Sequence, residues 1–341
     1  MRVSGGRSMD ADTQEHRENN TPDSTQEKII EVRGVSKRFG DESAVRQANF
    51  YVPRGTIFGL IGPSGAGKTT LIRMLTGVYT ADEGEMTVLD KDPLQFSGTQ
   101  RMAIGYMPQL FVLYPRLTVR ENLHFVASMY GLGTSRFKRI RETLEFVELE
   151  GDMGKQARKL SGGMQRRLSL STALVHDPEL VFLDEPTAGI DPVLRQKIWD
   201  GFIDLREQGK TLFVTTQYVS EAANCDLVAV LSEGEIKIVD TPEGLRRAAY
   251  GGEVLLVDIS RPLSPDDYGD LQKLSFVKSD IIVHSGTMLR IVVDDAKSSI
   301  PKIMGWLGER GIEAESVEID HPPFDDVFVE LVEGPKDLHH A

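Results

Sequence analysis

Nine consecutive residues carry the most legible chemistry in this chain: Gly62, Pro63, Ser64, Gly65, Ala66, Gly67, Lys68, Thr69 and Thr70. Gly62, Gly67, Lys68 and Thr69 satisfy the P-loop spacing. Glycines let successive backbone N–H groups converge on phosphate oxygens. A helix starting behind them adds its positive N-terminal end. A lysine here reaches the β- and γ-phosphates of a nucleotide, and the Thr69 hydroxyl suits a magnesium ion. A second group lies at the end of "LVFLDE" (180–185), where an apolar run delivers Asp184 and Glu185. Alone, two acids after a strand are usually a helix cap or a solvated turn. With a phosphate cradle upstream, Asp184 suits magnesium ligation and Glu185 suits taking a proton from an attacking water. A third group, Ser161, Gly162 and Gly163, opens a helix in "KLSGGMQRRLSLSTALV". The serine is a good N-cap, and a helix N-terminus is also an anion site. Two phosphate-seeking helix ends in one domain make sense if the serine helix of one chain closes on a nucleotide held by another.

The elements that must position these residues can be read from periodicity. "TIFGLIG" (56–62), "LVFLDE" (180–185), "TLFVTT" (211–216) and "LVAVLS" (227–232) are short, continuous apolar runs. They predict buried strands of a mainly parallel sheet, hence an α/β core. Thr118 with Glu121 three residues on predicts a capped helix with Val119, Leu123, Val126 and Tyr130 on one face. A second helix should show Phe137, Ile140, Leu144 and Val147 on its inner stripe. Residues 1–26 are almost wholly polar and predict a disordered tail. The expected domains are 27–247, with the motifs, and 251–335, followed by a short tail at 336–341. The second domain reads as strand, helix, two strands, helix, strand and a final helix, a small α+β unit of ferredoxin-like order. The final helix, "PPFDDVFVELV", carries a stripe of Phe324, Val327, Phe328 and Leu331, expected to pack on its own sheet.

The chain has 341 residues and a formal net charge of −13. That acidity argues against a nucleic-acid role, which needs a basic surface. No apolar run reaches the roughly 18–20 residues of a membrane span, and the polar N-terminus is not that of a signal peptide. The single cysteine, Cys225, cannot form an intrachain disulfide.

In combination these motifs resemble the ATP-binding subunits of ABC transporters, over about residues 27–247. "GPSGAGKTT" resembles Walker A, "LSGGMQRR" with Ser161, Gly162, Gly163 and Gln165 the signature, and "LVFLDEPTAGID" Walker B running into the D-loop. The resemblance implies a P-loop NTPase core with an antiparallel β subdomain and a helical subdomain. It implies that Gln109 in "IGYMPQ" touches magnesium and senses a membrane partner. It implies that Phe39 stacks on adenine, although alone Phe39 reads as a packing residue, and that Asp191 lies at a dimer seam. It further implies two ATP molecules sandwiched head to tail with magnesium between two such domains, as homodimer or heterodimer. A separate membrane permease would hold them at the cytoplasmic face of the inner membrane. The "PPFDDVFVELV" segment resembles the appended domain of bacterial export ATPases that serve drugs, lipids or polysaccharides, the drug-resistance branch in particular.

One position departs from that family. Where most members have a histidine after "TT", this chain has Gln217. An amide can donate to a phosphate oxygen and accept from water, but it cannot take a charge near neutral pH. As a positioner, Gln217 should support a working ATPase. Two rivals stand beside this reading: a soluble ABC ATPase acting on DNA or ribosomes, and a non-hydrolysing ATP-binding regulator. Against the first, 93 positions separate Lys68 from Ser161, with no sustained heptads between them. Against the second stands Glu185.

Overall fold

A computed structural model describes residues 27–110, 113–278 and 281–333. The tails expected at 1–26 and 336–341 lie outside the described residues. The central sheet has six strands: β3 (Ile57–Ile61), β5 (Ile104–Met107), β6 (Leu180–Asp184), β7 (Thr211–Thr216), β8 (Leu227–Ser232) and β9 (Glu235–Asp240). Their order is β5-β6-β7-β3-β8-β9, parallel except for β9 at the edge. The four apolar runs are thus β3, β6, β7 and β8. Every residue of each is buried, because a parallel strand is covered on both faces.

Alternation sorts each strand's side chains between two cores. Phe58 of β3, Phe182 of β6 and Phe213 of β7 meet on one face, with Phe50 stacked beside them at centroid distances of 5.3–5.6 Å along the chain of contacts. This core is closed by a three-stranded antiparallel sheet of β1 (Lys28–Phe39), β2 (Glu42–Pro53) and β4 (Glu83–Val88), in order β2-β1-β4, and by α1 (Lys68–Leu75). The opposite face, with Ile57, Ile61, Val181 and Leu183, carries the helical insert.

That insert comprises α3 (Val119–Met129), α4 (Arg136–Phe146) and α5 (Gly162–Leu174), preceded by the short α2 (Gly98–Ala103). The expected capping box is present: Thr118 accepts from the Glu121 N–H at 3.2 Å, and the Glu121 carboxylate accepts from the Thr118 N–H at 2.8 Å. Val119 and Leu123 are buried as expected, and so are Ile140, Leu144 and Val147. Phe137 is not. It lies in the first turn of α4, 61% exposed, its ring covered by the His124 edge and the Arg136 guanidinium rather than by the core. After α6 (Pro192–Glu207) and β9 the chain reaches α7 (Pro242–Tyr250).

The remainder forms β10 (Glu253–Ile259), α8 (Pro265–Gln272), β11 (Ile282–Ser285), β12 (Met288–Val293), α9 (Ala296–Glu309), β13 (Ala314–Asp320) and α10 (Phe324–Glu333). Its sheet is antiparallel in the order β11-β12-β10-β13, with a core of its own that includes Leu255, Ile291, Ile303 and Leu307. The expectation for the last helix is corrected here. The Phe324 stripe does not pack on this sheet. Phe324 and Val327 are buried in the core on the helical-insert face of the central sheet, with Leu245 of α7 and Ala222 of the 3₁₀ turn Val219–Asn224, and Phe328 and Leu331 pack against the same cluster. The Arg246 guanidinium lies 4.2 Å over the Phe324 ring.

Candidate functional site

A cleft of about 600 Å³ opens at the C-terminal edge of the central sheet, where α/β folds bind their ligands. Ser64, Gly65, Gly67, Lys68, Thr69 and Thr70 form its floor, Phe39 one wall, and Gln109 and Glu185 the far side. The loop between β3 and α1 is specified by close backbone approach. A Cβ on Gly62 would overlap the Leu231 carbonyl. Gly67 takes φ +109° and passes against the Ala44 carbonyl, where no other residue fits. Pro63 contributes its carbonyl, which accepts from the Ala66 N–H at 3.2 Å, while the Ala66 side chain is buried in the core. Lys68 is 5% exposed. Its Nζ donates to the carbonyls of Gly62 (2.8 Å) and Pro63 (3.0 Å) and lies 4.0 Å from a Glu185 carboxylate oxygen. Burial lowers the Lys68 pKa, and the charges of Glu185 and Asp184 draw it back up.

The strand order explains how the acids meet this loop. β7 lies between β3 and β6. Its Thr215 hydroxyl donates to Asp184 Oδ1 at 2.6 Å, and Thr69 Oγ1 stands 3.3 Å from the same oxygen. Asp184 is fully buried, and its Oδ2 has no hydrogen-bond partner among the described residues. A buried carboxylate oxygen left open beside a threonine hydroxyl fits a hard cation or its water shell. Glu185 adopts φ +52°. Its N–H donates to the Thr215 carbonyl (3.0 Å) and hydroxyl (3.1 Å). Sequence reading missed Thr215, although a hydroxyl at the end of a fully buried strand must find a partner.

Phe39 is 46% exposed and meets Tyr79 edge to face at 5.5 Å. It is a wall of the cleft rather than a packing residue. The other candidates lie elsewhere. Ser161 caps α5, accepting from the Met164 N–H at 3.3 Å, and with Gly162 is exposed outside the cleft. Gly163 is half-buried, with the Gly189 carbonyl at 3.5 Å from where its Cβ would be. Gln165 turns back on its own approach loop, donating to the Ala157 (3.1 Å) and Leu160 (3.4 Å) carbonyls. Asp191 caps α6 through the Leu194 N–H at 3.0 Å and is exposed. Gln217, just past β7, is exposed and does not line the cleft.

Comparison with known proteins decides the family. The model of the ABC transporter family matches residues 45–188. The daunorubicin resistance ATP-binding protein DrrA3 of Streptomyces coeruleorubidus is 36% identical over 314 residues, covering 92% of this chain and 98% of that protein. The chain belongs to the ATP-binding proteins of ABC transporters. The probable multidrug ABC transporter ATP-binding protein YbhF of Escherichia coli (strain K12) is 38% identical over 228 residues, 67% of this chain. This chain spans only 39% of the YbhF length. Among solved structures, a dimeric post-hydrolysis state of the ATP-binding cassette MJ0796, bound to ADP and Pi, superposes with a TM-score of 0.59 at 27% identity, over 62% of this chain and 98% of that one. This chain thus has the ABC ATPase fold. Among the described residues no helix is long and apolar enough to cross a membrane.

Proposed function

We propose that this ABC ATPase subunit binds and hydrolyses ATP to energise export through a separate membrane permease, as one of two nucleotide-binding domains. The observation that carries the reading is the convergence of Phe39, Lys68, Thr69, Gln109 and Glu185 on one cleft. In this reading adenine stacks on Phe39, and the loop N–H groups and Lys68 hold the phosphates. Lys68 then exchanges the two loop carbonyls for phosphate oxygens. Thr69, Asp184 and Gln109 would hold magnesium, which would neutralise charge on the β- and γ-phosphates. Glu185 takes the proton of the attacking water. Gln217, which stands outside the cleft, would have to turn into it to orient that water and a γ-phosphate oxygen through its amide. Ser161 and Gly162, exposed on one chain, and half-buried Gly163 behind them complete the cleft of the second, and Asp191 lies at their seam. Peripheral attachment to the inner membrane follows from the permease. The domains are 27–247 and a ferredoxin-like unit of 251–335, supported by the strand order β11-β12-β10-β13 and by the return of α10 to the first domain. Export of a drug-like cargo is suggested by the names of DrrA3 and YbhF.

The test is magnesium-dependent phosphate release from ATP by the purified chain, beside Glu185→Gln. Removing the base should lower kcat by about two orders of magnitude or more, with ATP still bound. Equal rates in the two proteins would sink the assignment of Glu185. Gln217→His should hydrolyse at least as fast as the wild type. A dead wild type revived by that histidine would instead favour a regulatory role.

A further inference from the structure

The proposed function assigns the start of α5 to a neighbouring copy's nucleotide and Glu185 to this chain's own. One side chain joins the two. Arg166 lies on α5, just over one turn beyond Ser161, on the same stripe as buried Ser169, Leu170 and Ala173. Its Nη1 donates to the Gln109 carbonyl at 2.8 Å. Its Nη2 donates to the Asp184 carbonyl at 3.0 Å and also meets the Glu185 carbonyl. The next residue does something else. Arg167 Nη1 donates to the carbonyls of Val147 (2.8 Å) and Glu148 (3.0 Å), inside the helical insert. Of two consecutive arginines, only Arg166 leaves the insert for the catalytic edge of the sheet.

The peptide it holds is an unusual one. Glu185 is a non-glycine residue at φ +52°, a conformation that persists only where its surroundings impose it. Thr215 holds the N–H side of this residue, and Arg166 holds the carbonyl side. The planar guanidinium fork spans three carbonyls on two segments, which a point-charge ammonium cannot do.

We propose that Arg166 is a positioning residue for hydrolysis: it fixes the Glu185 peptide and the Gln109 backbone to α5, so that a displacement of α5 is delivered to the catalytic carboxylate. The inference rests on the functional reading above and adds to it the route between the two half-sites. No step of the chemistry passes through Arg166, so its loss should reach kcat and spare nucleotide binding.

The experiment is steady-state hydrolysis by the full chain with Arg166→Ala and Arg166→Lys, beside wild type and Glu185→Gln. Binding of a fluorescent ATP analogue and thermal unfolding are measured on each protein. Arg166→Ala should lose about tenfold or more in kcat, with the KM for ATP and analogue affinity within about twofold of wild type. Lysine should recover part of the loss, and millimolar guanidinium chloride should raise the rate of the alanine variant but not of wild type. The proposal is overturned if kcat stays within about twofold of wild type. It is overturned equally if the loss of rate runs parallel to lost nucleotide binding and lowered melting temperature, with lysine no better than alanine and no response to guanidinium. Should alanine prevent folding, the lysine variant alone decides, by its kcat against its analogue affinity. A wild type without hydrolysis removes the functional reading itself, which separates that failure from this one.

Discussion

His176 shows how much a single side chain can do away from the chemistry. It follows α5, is 8% exposed, and stacks flat on Tyr130 with centroids 3.6 Å apart. Its Nε2 lies 3.0 Å from the Ile104 carbonyl, which can only accept, so Nε2 carries the proton. Nδ1 is then bare, buried and without a partner among the described residues. A second proton would place a charge there, and burial pushes the pKa down to about 4. The Ile104 bond and nearby Asp177 pull the other way, while Arg139 and Lys210 push it lower. An unfolded histidine takes its proton near pH 6.5. As pH falls below that value the unfolded chain gains a proton that the native chain refuses. Stability is therefore lost progressively from about pH 6.5 to about pH 4, by about 3 kcal/mol in all. His176→Phe should be less stable than wild type at pH 7, by about 1 kcal/mol for the Ile104 bond. Its denaturation midpoint should then fall less on acidification. Parallel pH profiles for the two proteins would remove His176 from the account. At this scale, what was legible from sequence was what is local. Gly62 to Thr70 form one turn whose function depends on neighbours in the chain. Thr215 and Arg166 were not legible, because their partners, Asp184, Glu185 and Gln109, lie 18 to 57 positions away.

Among the elements, strands and helices were legible for a related reason. Period-two burial and period-3.6 stripes are imposed by backbone geometry alone. The helix stripes follow from it, whereas the four buried strands were legible as continuous apolar runs and the capping box on α3 as the spacing of Thr118 and Glu121. What a stripe packs against is a different matter. The stripe on α10 shows which side is apolar and not which surface covers it. It crosses to α7 and the 219–224 turn, which begins two residues after Gln217. That turn is itself tied to the loop following Glu185: the Thr187 hydroxyl donates to a Glu221 carboxylate oxygen at 2.6 Å, with both residues buried. Phe324→Ala should therefore cost about 3–5 kcal/mol, as for other large-to-small changes in a core. The loss should appear in the unfolding of the nucleotide-binding unit rather than of the C-terminal sheet alone. Hydrogen exchange resolved by peptide would check this. Increased exchange in 219–224 and 242–250 is expected, with β10 to β13 little changed. Deprotection confined to the C-terminal sheet would contradict the packing described.

For the whole molecule, the central issue is the proposal that one chain presents a half-site. Its own cleft contains no residue of the signature. Ser161, Gly162 and Asp191 are exposed, and beside Asp191 the apolar Val193 is 72% exposed. A face that combines an exposed helix N-terminus with an uncovered valine suits a two-fold, self-complementary contact closed over nucleotide. Two opposed effects govern that contact. In the proposed pairing ATP adds binding surface for the second copy's Ser161 helix, whereas each copy carries a formal charge of −13, and like charges repel over long range. Glu185→Gln keeps the buried shape of the cleft and loses only the base, so ATP persists and the closed pair should accumulate. We expect that variant to sediment as a monomer without nucleotide and as a dimer with magnesium and ATP. Raising salt from about 20 to about 150 mM should favour the dimer, because the screening length shortens to about 8 Å and spares only contacts at the seam. Ser161→Glu, which sets a negative charge where phosphate must come, should abolish the dimer and leave ATP binding to the cleft unchanged. If Glu185→Gln stays monomeric at every nucleotide and salt condition, self-pairing is excluded. The exposed signature face must then meet a different nucleotide-binding domain.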